Sequence, residues 1–180
     1  MKPLRRIPNV PETALDVFKA LPEGTRAEVI NNVLYISPSP FFQHQQLVTN
    51  LAGILWNLLK KIENKGILLV SPFDVYLEDQ VSAVQPDLLY ISNKNKHILK
   101  GDGYAHGAPD LVIEILSKDE QRDRKLKKEL YEKAGVKEYF IIDPKTKMTE
   151  AFSLKGKKFN PLYTRKKYFH SALLNLEFTF

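Results

Sequence analysis

Glu114 stands in the middle of the apolar run Leu111-Val112-Ile113-Glu114-Ile115-Leu116. An ionised carboxylate buried in such a strand costs on the order of several kcal/mol unless a cation or hydrogen bonds compensate it. The ordinary alternative is a glutamate at an uncovered sheet edge, or one paired with a buried arginine. Asp87 opens a second apolar run, Pro86-Asp87-Leu88-Leu89-Tyr90-Ile91. Proline is tolerated there because the start of a strand needs no ladder donor, although aspartate after proline is also common in plain turns. Glu28 lies between Ala27 and Val29 on a short strand-like stretch, where a solvent-facing acid would be unremarkable. A carboxylate buried in an apolar strand, as at Glu114, is expected to be paired or metal-bound.

A lysine and two further polar residues could complete such a site. Residues 118–134 are highly charged but carry Leu126, Leu130, Tyr131 and Ala134 at helical spacing. With each residue turning about 100°, Asp123 falls nearly on the axis of that apolar face and Lys127 roughly 35° from it. Lys125 and Lys128 point into water on the same wheel. An Asp123–Lys127 pair at i,i+4 is the bland reading, worth a few tenths of a kcal/mol. His44 opens a long helix on the side of Val48, Leu51 and Leu55; a metal or phosphate contact is one role for it, and a structural helix-end histidine is the other. His97, His106 and His170 have no partner at ligand spacing, and Asp74 and Asp143 read as turn or edge residues.

The elements that would position these groups follow from periodicity. Thr13 is placed to cap a short helix reaching Leu21, ended by Pro22-Glu23-Gly24. Residues 26–30 and 33–37 form a hairpin through Asn31-Asn32, since asparagine tolerates positive φ. A helix from beyond Pro40 to about Asn64 carries Leu47, Leu51, Ile54, Leu55, Leu58 and Ile62 as its buried stripe, with Lys65-Gly66 ending it. Strands are expected at 67–70, 73–77, 87–91, 110–116 and 138–142, the fourth buried on both faces. A loop spans 93–107, and Gly135 suits the residue after a helix end. The rest reads as C-terminal β-hairpin material with basic turns at 155–158 and 165–167. The class is α/β (α+β), a mixed central β-sheet flanked by helices with an N-terminal hairpin.

Composition narrows the functions. The 180 residues suit a single domain, and 43% hydrophobic with 27% charged residues is globular rather than disordered composition. There is no cysteine, which excludes disulfides, thiolate zinc sites and cysteine nucleophiles. The start, MKPLRRIPNV, has no apolar signal-peptide core, and no apolar run is long enough to span a bilayer; a cytoplasmic protein without a membrane partner is expected. A formal net charge of +6 favours an anionic partner, weakly by itself.

Several stretches together resemble a known family. They are Arg26-Ala27-Glu28-Val29-Ile30-Asn31-Asn32; Ser37-Pro38-Ser39-Pro40 followed by His44; Gln85-Pro86-Asp87-Leu88; and Ala108-Pro109-Asp110-Leu111-Val112-Ile113-Glu114-Ile115-Leu116-Ser117. The last and most specific runs from Asp123 through Lys127 and Tyr131 to Gly135-Val136-Lys137-Glu138-Tyr139-Phe140-Ile141-Ile142-Asp143-Pro144. The pattern is similar to the bacterial putative restriction endonuclease family, a former domain of unknown function within the PD-(D/E)XK nuclease superfamily. It covers a nuclease-like core at about residues 11–152. The superfamily's lysine usually follows the second acid by two positions, which here is Leu116; Lys127 on the next helix is the residue that matches this family's pattern.

The resemblance implies a restriction-endonuclease-like fold and a metal-dependent endonuclease acting on nucleic acid, DNA first. Asp87, Glu114 and Glu28 would hold Mg²⁺ or Mn²⁺, and Lys127 would orient or activate the attacking water and offset charge on the phosphate. His44 and Asp123 would support them. Two rivals stay open: a catalytically silent nucleic-acid-binding module of the same fold, and a hydrolase of smaller phosphate esters. Association into a homodimer is also left open.

Overall fold

A computed structural model describes residues 11–62, 66–77 and 81–180. The N-terminal decapeptide, Asn64 and Lys65 lie outside the described residues, and with them the expectations placed there. The strands are β1 (Ala27–Ile30), β2 (Val33–Ile36), β3 (Ile67–Val70), β4 (Val75–Tyr76), β5 (Ala83–Val84), β6 (Leu88–Ile91), β7 (Ala105–His106), β8 (Leu111–Ile115), β9 (Glu138–Ile142), β10 (Met148–Lys155), β11 (Lys158–Lys166), β12 (Tyr168–Ser171) and β13 (Leu176–Thr179). The α-helices are α1 (Ala14–Lys19), α2 (Phe42–Leu59) and α3 (Lys128–Ala134). A 3₁₀ segment, Asn93–Ile98, and a π-helical segment, Arg122–Lys127, complete the set. Among the described residues no helix is long and apolar enough to cross a membrane.

A six-stranded mixed sheet, ordered β11-β10-β9-β8-β6-β3, carries the architecture. Its neighbours are antiparallel except β8 and β9, which run parallel. Side chains alternate across a strand, and the core divides accordingly. Leu88 and Tyr90, Leu111, Ile113 and Ile115, and Phe140 and Ile142 pack with Leu47, Val48, Leu51, Leu55 and Leu59 of α2. Leu89 and Ile91, Val112, and Tyr139 and Ile141 pack on the opposite face with Leu130 and Tyr131 of α3. By the same alternation Glu114 belongs to the α3 face. Leu88 pairs with Ile113 in antiparallel register, so one step further on brings Asp87 opposite Glu114, on the same face.

The second sheet, β2-β1-β5-β4-β7, holds the N-terminal hairpin. Its turn residues Asn31 and Asn32 have φ of 51° and 61°, the paired positive values of a two-residue hairpin matched to strand twist. Ser82 Oγ accepts from the Asn31 N–H at 3.1 Å, and Asn32 Oδ1 accepts from the Ala14 N–H at 2.9 Å. Helix α1 begins with a reciprocal capping box between Thr13 and Asp16, which satisfies two otherwise open N–H groups. Along β1, Ala27 and Val29 pack toward α1. Ile30 joins the core on the α3 face, and Glu28, two residues before it, shares that direction.

Several expectations shift. Helix α2 stops at Leu59, and its buried apolar positions are Leu47, Val48, Leu51, Leu55 and Leu59, with Ile54 and Leu58 half-buried at the margin and Ile62 half-buried beyond its end. Gly66 does not cap that helix; a Cβ there would run into the Ile91 carbonyl oxygen, so glycine is needed for the close approach to β6. Strand 73–77 shrinks to β4, β6 begins after Asp87, and β5 and β7 were not anticipated. The charged helix is π-helical from Arg122 to Lys127 before α3 continues it. Gly135, with φ of 90°, ends α3 in the left-handed conformation as expected. Asp110 locks the start of β8: its carboxylate accepts from the Ser92 N–H at 2.7 Å and pairs with the Lys137 ammonium. Burial pushes the Asp110 carboxyl up, but these partners outweigh it and hold it below the usual range.

Candidate active site

Glu28, His44, Asp87, Glu114, Asp123 and Lys127 all line one cavity of about 950 Å³. Every candidate the sequence singled out is thus brought to one place, from β1, α2, the start of β6, β8 and the π-helical segment. All six side chains are buried.

Lys127 is the hub. Its Nζ lies 2.8 Å from Glu28 Oε1, 3.0 Å from Glu114 Oε1 and 3.9 Å from Asp123 Oδ1. A π-helical turn, which adds a residue to the ordinary α-helical turn, recurs at functional sites; here it ends at Lys127. The wheel assumed α-helical rotation, yet a four-residue step stays near one face in either geometry, so the buried side of Asp123 and Lys127 survives the change. Lys125 is exposed, as expected, while Lys128 is half-buried with its ammonium 3.7 Å from the centre of the Phe152 ring. It covers that ring rather than pointing freely into water.

The carboxylates are each held by one oxygen. Glu28 Oε1 accepts from the Gln85 N–H at 3.0 Å as well as from Lys127. Glu114 Oε1 accepts from the Tyr131 hydroxyl at 2.7 Å in addition to Lys127. Asp87 Oδ2 accepts from the Ile115 N–H at 2.8 Å and lies 3.2 Å from His44 Nε2. Contacts on all three therefore converge on a single oxygen, and among the described residues the second oxygen of each is left for a further partner. Asp123 anchors the helix instead: its carbonyl accepts from the Tyr139 hydroxyl at 2.9 Å.

Electrostatics bind the cluster together. Burial, reinforced by the carboxylates of Asp87, Asp123 and Glu28, pushes Glu114 up to about 8 against the pull of Lys127. Burial also raises Asp123, against Lys127 and Arg122. Burial alone would lower Lys127, but Glu114, Glu28 and Asp123 outweigh it and hold the ammonium protonated, well above its ordinary value. Three acids, Glu28, Glu114 and Asp123, thus share one buried ammonium, and Asp87 adds its charge beside Glu114; that is an excess of negative charge that a divalent cation would relieve.

The donor set fits a hard cation. Among the described residues no three acid or histidine side chains already close on one point as ligands; Glu28 and Glu114 both turn one oxygen to Lys127. Mg²⁺ needs no closed protein cage, since one or two carboxylates plus water and substrate phosphate hold it. Asp87 and Glu114, opposite one another on adjacent strands with an oxygen each to spare, meet that requirement.

Other residues contribute to the site beyond those the sequence singled out. Tyr131 was placed on the apolar face but not credited with its hydroxyl, although it stands four residues after Lys127. Gln85 contributes a backbone N–H, which no sequence pattern announces, and its side chain donates to Asp74 Oδ1 at 2.7 Å and to Thr25 O at 3.1 Å. The cavity is also edged by Arg26, Lys118, Arg122 and Lys145 and by the rings of Phe41 and Phe42. The basic turns at 155–158 and 165–167 are not part of it. Lys158 pairs with Glu132 at 2.8 Å, and the Arg165 guanidinium sits 4.1 Å from the Tyr168 ring centre.

Comparison with known proteins bears on the fold and the family. The chain is similar over 94% of its length to a crystal structure of a putative nuclease belonging to DUF820 from Anabaena variabilis ATCC 29413, covering 95% of that chain at 18% identity with a TM-score of 0.71. At that identity the likeness establishes the shared nuclease fold. No curated protein matches the chain. The family model described as Uma2, putative restriction endonuclease, matches residues 15–178, and the chain therefore belongs to that family.

Proposed function

We propose that the protein is a metal-dependent nuclease that hydrolyses phosphodiester bonds of DNA in the carboxylate cavity. The observation that carries this reading is the buried set Glu28, Asp87 and Glu114, each holding one carboxylate oxygen in reserve, around the single ammonium of Lys127. In this reading Asp87 and Glu114 hold a divalent cation, Mg²⁺ or Mn²⁺, with Glu28 as a third ligand or as the holder of a metal-bound water. Such a cation would polarise the scissile phosphate and would lower the pKa of a water bound there.

The protein's own groups do the rest. Two N–H groups of Lys127 are engaged by Glu28 and Glu114, which fixes the third for a phosphate oxygen or the attacking water. Because the ammonium stays protonated, Lys127 acts by orientation and by offsetting charge on the phosphorane rather than by taking a proton. The Ile115 N–H and His44 fix the orientation of Asp87, and Tyr131 fixes that of Glu114. Arg26, Lys118, Arg122 and Lys145 supply positive charge at the edge of the cavity for the nucleic-acid backbone.

The test is incubation of plasmid and single-stranded DNA in Mg²⁺ and in Mn²⁺, alongside Asp87→Ala. Metal-dependent cleavage lost in the variant supports the reading; metal binding without cleavage of any nucleic acid overturns it. A second reading follows from the cavity's size, about 950 Å³, which falls within the range of small-molecule sites. Turnover of a small phosphodiester with both DNAs left intact would favour a hydrolase of smaller esters.

A further inference from the structure

The edge of the cavity carries two of the most exposed aromatic side chains in the protein. Phe41 is 61% exposed and Phe42 75% exposed, and both border the same cavity as Asp87 and Lys127. Neighbouring Ile36 is 67% exposed. Large apolar groups left in water at the mouth of a cleft mark a contact surface. The charge around them says which kind: the Lys118 ammonium lies 4.7 Å from the centre of the Phe41 ring, and Lys145 edges the same opening. Phe41 is also the N-cap residue of α2 and provides no side-chain acceptor. The first N–H groups of an 18-residue helix are therefore left without a capping side chain, the state in which a helix start can accept an anion.

Adjacent aromatic rings interleaved with cations are the elements of a single-strand platform, where bases stack on the rings and phosphates meet the charges. In a duplex both faces of every internal base are already covered by neighbouring bases. Phe41 and Phe42 then find no partner unless the helix opens. We propose that Phe41 and Phe42 stack on unpaired bases, and that the substrate class of this site is single-stranded or locally unpaired nucleic acid. The inference rests on the nuclease reading for its placement beside the chemistry, but it is tested by binding alone.

The experiment uses fluorescence anisotropy of the intact protein in EDTA, so that no cleavage intrudes. The probes are a labelled single strand of about twelve nucleotides, within the usual footprint of such platforms, and the blunt duplex of the same sequence. The single strand should bind at least tenfold more tightly, and Phe41→Ser with Phe42→Ser should abolish that preference by weakening the single strand selectively. Phe41→Trp should restore part of it. Both residues are exposed, so the thermal midpoint of the double variant should match the parent. Equal affinity for the two probes, or an equal loss on both in the double variant, overturns the proposal. So does concentration-dependent self-association that disappears in the double variant, which would make the rings a contact between copies of this chain. A single-strand preference carried by the rings without any cleavage in Mg²⁺ or Mn²⁺ would sink the nuclease reading and leave this one standing; duplex cleavage indifferent to the rings would do the reverse.

Discussion

Lys127 Nζ stands 3.0 Å from Glu114 Oε1, with both side chains buried, so the charge state of each depends on the other. Lysine keeps its proton because carboxylates surround it, and those carboxylates tolerate burial because the lysine is there. Lys127→Met removes the ammonium and leaves Glu28, Glu114 and Asp123 without compensation. Breaking a buried pair from one side costs about 3 kcal/mol or more, so the variant should melt well below the parent at about pH 8. It should recover toward about pH 5, as Glu114 is held in its protonated form. DNA cleavage should fall by about a hundredfold or more, against changes of a few-fold for Lys125→Met. Melting curves across pH and cleavage rates check both halves, and a pH-independent stability loss would mean that packing, not charge, is what Lys127 provides.

Glu114 itself sets a pH signature. Its folded value of about 8 lies above the ordinary 4.5, so the folded state binds the extra proton between those limits. Stability of the metal-free protein therefore falls as pH rises through that window. Glu114→Gln removes the titrating group and should flatten the fall, giving a higher thermal midpoint than the parent at about pH 8 and little difference near pH 4. Scanning calorimetry in chelator-treated buffer reads this, and a parent midpoint that climbs from pH 5 to 8 would contradict it.

How much of this was legible in the sequence depends on the range of the interaction. The hairpin at Asn31-Asn32 and the helix end at Gly135 are local backbone requirements, and residue type announces them. Glu114 was legible because an acid inside an apolar strand conflicts with its neighbours. Lys127 was legible through spacing: positions 123, 127 and 131 share a face in an α- or a π-helix alike. The π-helical turn itself was not, since apolar periodicity over six residues cannot separate the two rotations. Strands β5 and β7, two residues each, are too short to leave a pattern. The Gln85 N–H on Glu28 and the Tyr131 hydroxyl on Glu114 depend on contacts made only when distant strands and helices assemble.

Tyr131 offers a probe of that assembled network. Its hydroxyl donates to Glu114 Oε1 at 2.7 Å from a fully buried ring. Tyr131→Phe preserves the ring and deletes one hydrogen bond to a carboxylate, which should cost about 1.5–3 kcal/mol. The loss should grow with pH, because a bond to ionised Glu114 is stronger than one to its protonated form. Chemical denaturation at several pH values measures it. An unchanged midpoint throughout would show that the hydroxyl finds an equal partner elsewhere.

The final prediction separates the cations at the cavity edge from those at the hairpin tips. Lys118 and Lys145 border the cavity, whereas Lys157 and Lys167 lie on turns outside it; all four are exposed, so replacing them should not disturb folding. Their contributions to net charge are identical, and only position distinguishes them. Each lysine that neutralises a phosphate releases counterions and adds about 0.7 to the salt slope on a single strand, or about 0.9 on a duplex. Lys118→Gln with Lys145→Gln should therefore weaken DNA binding and flatten its dependence on log salt by between one and two counterions. Lys157→Gln with Lys167→Gln removes the same charge from the wrong place, so the slope should hold and the affinity should move only slightly through long-range attraction, which salt screens within about 10 Å. Titrations from low to moderate salt with both double variants distinguish the cases. Matching losses in slope would show that nucleic acid is drawn to the protein's overall charge, and that the cavity edge has no privileged place in binding.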